Sequence, residues 1–320
     1  PIHNRKHIFI RIRIECYSTY FKGHSMNKRK KRNGIIIGGL IVIFLVLFFN
    51  YIRNNNNLVR STISGNQKIC VPIIMYHQVK NYGYSKDVIS PYEFESDLVF
   101  LKENDYTTIT MNDLIDYVYN DKELPKNPII LSFDDGHLSM YKYIYPLLKE
   151  YDMKVVLSVI GKGIDDFSKV HDENMAYSHV TWEQINEMKE SGHIEIQNHS
   201  YDLHTCNNGR IGCLQKRNES LEDYQLLLSG DLEKCQNQIA NNTGSTPNTF
   251  AYPYGESSED CDKILKQLGF KATLSCTYGV NIIDKDPEKL YGLKRMCRAH
   301  NYYLSKLIKE GMETLKYSSD

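Results

Sequence analysis

Pro128-Ile129-Ile130-Leu131-Ser132-Phe133-Asp134-Asp135-Gly136-His137 is an apolar run that stops at two adjacent carboxylates, a glycine and an imidazole. The run is strand-length and bounded by a turn signal, so it reads as a strand over 128–133. Asp134 and Asp135 then stand at its C-terminal end, where a parallel sheet or barrel presents reactive side chains. Taken alone, Asp-Asp-Gly is more often an acidic turn that caps the next helix. A second stretch changes that weighting. Asn198-His199-Ser200-Tyr201-Asp202-Leu203-His204 follows another apolar run over 193–197 and offers two imidazoles five positions apart. A spacing of four would put both on one helix face, so a spacing of five calls for a loop or an irregular turn. Together the two stretches supply three ligands for a divalent ion and one spare carboxylate to take a proton from water, the minimum for a metal-assisted hydrolase.

Outward from these stretches the pattern alternates short apolar runs with amphipathic segments. Strands are expected over 71–76, 106–110, 128–133, 154–160, 193–197, 249–252 and 271–274. Helices are expected over 92–102, 112–119, 143–151, 222–241 and 259–268, and another starts at a Thr181–Gln184 capping box and ends near Gly192. Strand–helix alternation of this kind argues a parallel α/β architecture. It does not distinguish an open sheet from a barrel.

The net charge of zero over 320 residues hides an asymmetry. Residues 1–33 hold ten basic side chains and one acid, which leaves 29 basic and 38 acidic residues in the rest. An acidic body gives no footprint for nucleic acid. The basic segment instead precedes an apolar run over 34–52, 19 positions that span about 28 Å as a helix and match a bilayer core. Lys28–Arg32 are five consecutive cations, which places that end in the cytoplasm. Small residues for cleavage are missing around Phe48-Phe49-Asn50-Tyr51, so the run reads as an uncleaved transmembrane anchor with everything after it outside the cell. Met26 opens this targeting segment, and residues 1–25 are expected to be translated upstream sequence. The organisation is then a basic cytoplasmic segment (1–33), an anchor (34–52), a polar stalk (53–70) and one domain (71–320).

Phe133-Asp134-Asp135-Gly136, His199-Ser200-x-x-x-His204 and Phe250-Ala251-Tyr252-Pro253-Tyr254-Gly255 resemble, in that order, the first three motifs of the polysaccharide deacetylase (NodB-homology) family of carbohydrate esterases. Val71-Pro72-Ile73-Ile74-Met75-Tyr76-His77 resembles the opening strand of one branch. The five-residue histidine step and Tyr-Pro-Tyr-Gly are similar to the branch acting on β-1,6-linked poly-N-acetylglucosamine. The resemblance implies a distorted (β/α) barrel of about seven parallel strands. It implies Asp135, His199 and His204 as ligands of a divalent metal, zinc ahead of cobalt, nickel or iron. It further implies Asp134 as general base, the Tyr254 backbone N–H as an oxyanion donor, and Pro253 and Tyr254 against the substrate, an N-acetylated polysaccharide. No obligate protein partner is implied.

The chain departs from that family at two places. The third motif usually brings an Arg to the catalytic base; here Tyr252 stands near that place and no substitute is visible. The usual Leu-x-His of the late motif is Leu293-Lys294-Arg295, which leaves His77 or His300 as replacement acids, with Asp134 returning its own proton as the other route. These gaps keep a catalytically silent carbohydrate-binding protein as a rival reading, and an O-acetyl esterase as another. His171, His179 and His193 read as solvated or structural, and His137 has no evident partner. Seven of the eight cysteines lie beyond the anchor; Cys206 and Cys213 flank a turn-rich insert that could close a small disulfide loop, with free thiols as the alternative.

Overall fold

The computed structural model describes residues 68–170 and 172–317. The anchor expected over 34–52, the basic segment, most of the stalk and His171 therefore lie outside the described residues. Among the described residues no helix is long and apolar enough to cross a membrane.

Among the described residues seven parallel strands form the main path of the sheet, β1 (Ile73–Tyr76), β2 (Pro128–Phe133), β3 (Val155–Val159), β4 (Ile194–Asn198), β5 (Thr249–Ala251), β6 (Ala272–Leu274) and β7 (Met296–Cys297), and the short strand Thr107–Thr108 pairs with β2 off that path. Their order across the sheet is β6-β5-β4-β3-β2-β1-β7, so successive strands are neighbours until β7 joins the far edge beside β1. Leu293, just before β7, hydrogen-bonds to β6: its N–H donates to the Thr273 carbonyl and its own carbonyl accepts from Ser275 N–H, each at 2.9 Å. The segment from Leu293 to Cys297 thus touches both edges of the sheet, as in a distorted (β/α) barrel.

Among the described residues eight α-helices wrap the strands: α1 (Pro91–Glu103), α2 (Met111–Asn120), α3 (Tyr145–Tyr151), α4 (Gly161–Lys169), α5 (Trp182–Glu190), α6 (Leu221–Thr243), α7 (Glu259–Gln267) and α8 (Leu304–Glu313). Three of them, α1, α2 and α5, begin in complete capping boxes at Ser90, Thr110 and Thr181, which satisfy the first free N–H groups and fix where each helix starts. The expected helix over 143–151 is entered through a π-helical turn, Met140–Ile144, and its α-helical part starts at Tyr145. α4, α8 and β7 are not among the expected elements: α4 and α8 open without a side-chain cap, and β7 is only two residues long.

β2 is buried on both faces, and its alternation decides where the carboxylates go. Ile129, Leu131 and Phe133 pack outward with Phe94 and Leu98 of α1. Ile130 faces the other cluster, with Ile73, Val156 and Ala251. By the two-residue period Ser132 and Asp134 share the face of Ile130, so Asp134 ends the strand on the barrel interior. Each strand side chain so buried contributes about 1.5–3 kcal/mol.

Candidate active site

Asp135, His199 and His204 converge although 64 to 69 positions separate the carboxylate from the imidazoles in sequence. Asp135 Oδ1 lies 3.4 Å from His199 Nε2 and 3.5 Å from His204 Nε2. The two rings are 5.0 Å apart between centroids. Two neighbours set the ligand orientations. His199 Nδ1 donates to the Ala251 carbonyl at 2.7 Å, which leaves Nε2 bare and aimed at Asp135. His137 Nε2 stands 3.2 Å from the other oxygen, Asp135 Oδ2, and so answers what His137 does. Asp135 Oδ1 itself is buried without a hydrogen-bond partner, the condition of a carboxylate oxygen that a cation would satisfy. One carboxylate and two imidazoles around an orphaned oxygen fit a borderline divalent ion such as zinc.

The loop between the histidines is held from behind. Asp231 of α6 accepts from the N–H groups of Tyr201 at 2.7 Å and Asp202 at 2.8 Å, and Asn198 Oδ1 accepts from Ser200 N–H at 2.8 Å. These bonds support a backbone that is otherwise costly. Asp135, Ser200 and Tyr254 all adopt the left-handed region, with φ of 75°, 74° and 61°. Non-glycine residues there cost energy and persist only where the surroundings over-determine them. That one such residue sits in each of the three motif segments marks the segments as a single strained constellation. Beside Tyr254, Gly255 has no room for a side chain, since an added Cβ would fall 2.4 Å from Cys276 Cβ.

Asp134 is 2% exposed, and sequence reasoning missed its partner. Arg295, itself 1% exposed, donates from Nη1 to Asp134 Oδ1 at 2.8 Å and to Ser132 Oγ at 3.0 Å, while its Nε donates to the Ser275 carbonyl at 2.8 Å. The base-pairing arginine expected on the third motif therefore comes from the late segment, the place where a histidine was expected. Tyr252, standing near the usual arginine position, turns away and donates its hydroxyl to Asp262. Burial by itself would raise the Asp134 carboxyl; the charge of Arg295, followed by those of His199 and His77, outweighs it and holds the group below its ordinary value. Burial also works against Asp135, but the close His137 and His199 imidazoles hold it well below the ordinary carboxylate range. His204 moves down, first through burial and then through the charge of His199.

The two candidate acids separate clearly. His77 directly follows β1 and is close enough to bear on Asp134. His300 is occupied elsewhere: its Nδ1 is 2.8 Å from Glu93 Oε2, and its ring stacks on Tyr84 at 4.3 Å. Tyr254 packs its ring against His204 at 4.4 Å with 43% of its surface exposed, and Pro253 is buried beneath it. His193 is structural, with Nδ1 2.9 Å from the Met153 carbonyl, and His179 is packed edge-on against His137. The Cys206–Cys213 bridge does not form. Cys206 is exposed, Cys213 is fully buried beside Cys261, and the seven described cysteines are all free.

Comparison with known proteins agrees with this geometry. Residues 121–273 match the family described as polysaccharide deacetylase. The chain is 26% identical over 208 residues, 65% of its length, to the poly-beta-1,6-N-acetyl-D-glucosamine N-deacetylase of Staphylococcus aureus, and equally to that of Staphylococcus epidermidis. It spans 64% of the length of these relatives. Among solved structures, a de-N-acetylase from Aggregatibacter actinomycetemcomitans matches with a TM-score of 0.65 and 25% identity, covering 76% of this chain and 99% of that one. IcaB from Ammonifex degensii matches with a TM-score of 0.59 and 26% identity, covering 72% and 91%.

Proposed function

We propose that the chain is a metal-dependent N-deacetylase acting on an N-acetylglucosamine polymer outside the cell, a reading supported by the match of residues 121–273 to the polysaccharide deacetylase family. The observation that carries the reading is the pairing of two carboxylates with different surroundings: Asp135 among imidazoles with one oxygen orphaned, Asp134 on an arginine. The β-1,6-linked polymer is the substrate supported by the named relatives and by the five-residue histidine step.

Asp135, His199 and His204 would hold the ion, zinc by the nature of the ligands. When bound there, such an ion would supply Lewis acidity toward a carbonyl oxygen and toward water. Asp134 accepts the water's proton as general base, and Arg295 keeps it ionised and pointed for that task. The Tyr254 N–H is assigned to the developing oxyanion, with Pro253 and the Tyr254 ring against the sugar. His77 is assigned to give the departing amine its proton. A silent binding protein drew its support from the missing arginine and the missing acid, and Arg295 fills the first of these gaps.

Acetate release from N-acetylated and O-acetylated oligosaccharides, each with and without chelator, tests the reading. We expect release from the N-acetylated substrate that stops with chelator and returns with zinc. Release only from the O-acetylated substrate would make the chain an esterase, and none from either would make it a binder. We further propose that the run over 34–52 anchors the chain with its catalytic domain outside, supported by the cations that precede it. Protease added to wall-free cells should digest the domain; protection in sealed cells would overturn the topology.

A further inference from the structure

Next to the candidate active site lies a second group of ligand-type side chains with a different chemistry. We propose that His77, Asp87 and Cys297 form a second metal site that takes a thiophilic divalent cation such as zinc or cobalt and, when filled, slows turnover by tying down the imidazole of His77. Binding at this site stands independently of the function proposed above; the effect on turnover rests on it.

The ligand atoms of the three residues all lie within 4.8 Å of one another. His77 Nδ1 is 3.9 Å from Asp87 Oδ1, and Cys297 Sγ is 4.0 Å from the same oxygen. The Lys86 carbonyl, 3.4 Å from Cys297 Sγ, offers a fourth donor from the backbone. Metal–nitrogen and metal–oxygen bonds of about 2.0–2.2 Å and a metal–sulfur bond of about 2.3 Å place tetrahedral ligands roughly 3.3–3.7 Å apart. The two separations from Asp87 Oδ1 therefore need to contract by about half an ångström, within the reach of side-chain rotation. His77 Nδ1 is buried and has no hydrogen-bond partner, which is an unexplained state for a nitrogen beside a carboxylate and a thiol.

The framework around the group is fixed by the sheet. His77 leaves the end of β1, and Cys297 ends β7, which pairs with β1 through Met75. Asp87 is held by its own backbone, whose carbonyl accepts from Gln78 N–H at 3.1 Å, beside the paired residues Gln78–Val79 and Val88–Ile89. The Asp135 group offers only nitrogen and oxygen, whereas this one adds a sulfur, so it favours softer ions. Binding forms one metal–sulfur bond as the Cys297 thiol proton leaves to solvent. The carboxylate and the neutral imidazole bind unchanged, and no electron is transferred. A cation on Nδ1 replaces the proton an imidazolium carries there, so His77 can no longer act as an imidazolium acid.

The test is a cobalt titration of the purified full chain after its metal has been stripped by chelator. A thiolate–cobalt charge-transfer band in the near ultraviolet reports only a sulfur ligand, so it is silent for the Asp135 group. We expect the first equivalent to restore acetate release without the band. The second should raise the band and lower turnover about tenfold or more, the low end or below of what a general acid contributes. Cys297→Ser should bind one equivalent, show no band and keep the turnover of the one-equivalent enzyme; Cys297→Ala serves if the serine variant fails to fold. Absence of the band through several equivalents, or its persistence without Cys297, overturns the site. A band with unchanged turnover overturns the inhibition. A band from a chain that never releases acetate leaves the site standing and rejects the proposed function instead.

Discussion

Arg295 and Arg298 lie on either side of β7, three residues apart, and each is buried against a buried carboxylate, yet the two carboxylates are displaced in opposite directions. Arg298 makes the better-formed pair: Nε and Nη2 reach both oxygens of Asp97 at 2.8 and 3.1 Å. Arg295 makes one bond to Asp134, at 2.8 Å. Even so, burial pushes Asp97 up to about 6, because Arg298 and the Tyr76 hydroxyl only partly offset it and Glu93 adds a like charge. Asp134 is held below its ordinary value, because after Arg295 it also faces His199 and His77. The number of bonds in a buried pair therefore does not decide whether its acid stays ionised; the sum of surrounding charge does. One pair serves as a clamp between β7 and α1, and the other keeps Asp134 ionised, as the proposed base must be.

The sharpest way to break the comparison is at Asp134. Asp134→Asn keeps the shape and the arginine contact but removes the proton acceptor, so turnover should fall about 10²–10⁴-fold while metal content holds. Replacing Asp135, His199 or His204 by Ala should lose metal and turnover together. Metal analysis beside acetate release separates the two outcomes, and an Asp134→Asn chain with near-normal turnover would reject the base assignment.

Arg295→Met should come next in size. It strands Asp134 in a buried site, a loss of about 3–5 kcal/mol when one partner of such a pair is removed. Without its main cation the carboxyl rises, so the acid limb of the pH–rate profile should move to higher pH. An unmoved limb with reduced stability would leave Arg295 a purely structural residue. Arg298→Met should destabilise by a comparable amount but leave turnover per folded molecule nearly intact, since Asp97 lies on α1 and bonds to Tyr76 rather than to the site. The pH dependence adds a sign. Asp97 titrates higher when folded than the ordinary 3.8, so its contribution favours the fold below about pH 4 and is lost as pH rises toward about 6. Asp97→Asn should flatten that segment of the stability profile, as urea midpoints between pH 4 and 6 would register.

These arginines also mark how far the sequence could be read. Asp134, Asp135 and His199 were legible because they follow directly on apolar, strand-length runs, and His204 through the motif it shares with His199. Capping boxes made helix starts equally clear, as at Thr181. Arg295 was not legible for two reasons: β7 is two residues long, with no period to read, and its partner lies 161 positions away. The cysteines failed in the reverse sense. Cys206 and Cys213 are close in sequence, but the loop turns Cys213 into the core against a helix residue, Cys261, and leaves Cys206 in solvent. Nearness along the chain was a poor guide to nearness in space wherever a loop, rather than a strand or helix, did the connecting.

The smallest effect concerns the groups behind Asp135, where the site's charge meets the surrounding packing. His179 packs on His137 at 5.4 Å between rings, and an added Cβ at Gly163 would come within 1.9 Å of its Nδ1, so the ring has no room to turn away. Burial, followed by the charge of His137, lowers His179 to about 4, against the partial pull of Asp135. A histidine titrating lower when folded than the ordinary 6.5 resists protonation in the fold. Its contribution is complete above about pH 6.5 and is lost as pH falls toward about 4. His179→Gln keeps a polar group of similar reach without the titration. The drop in Tm between pH 7 and pH 4.5 should therefore shrink by about 2–4 °C relative to the parent chain, the equivalent of about 1 kcal/mol in a domain of this size. Turnover at neutral pH should stay close to the parent's, because His179 touches His137 and not Asp135 itself. Equal drops in the two chains would show that His179 does not carry this acid sensitivity, and would move it to the buried carboxylates whose pairs are compared above.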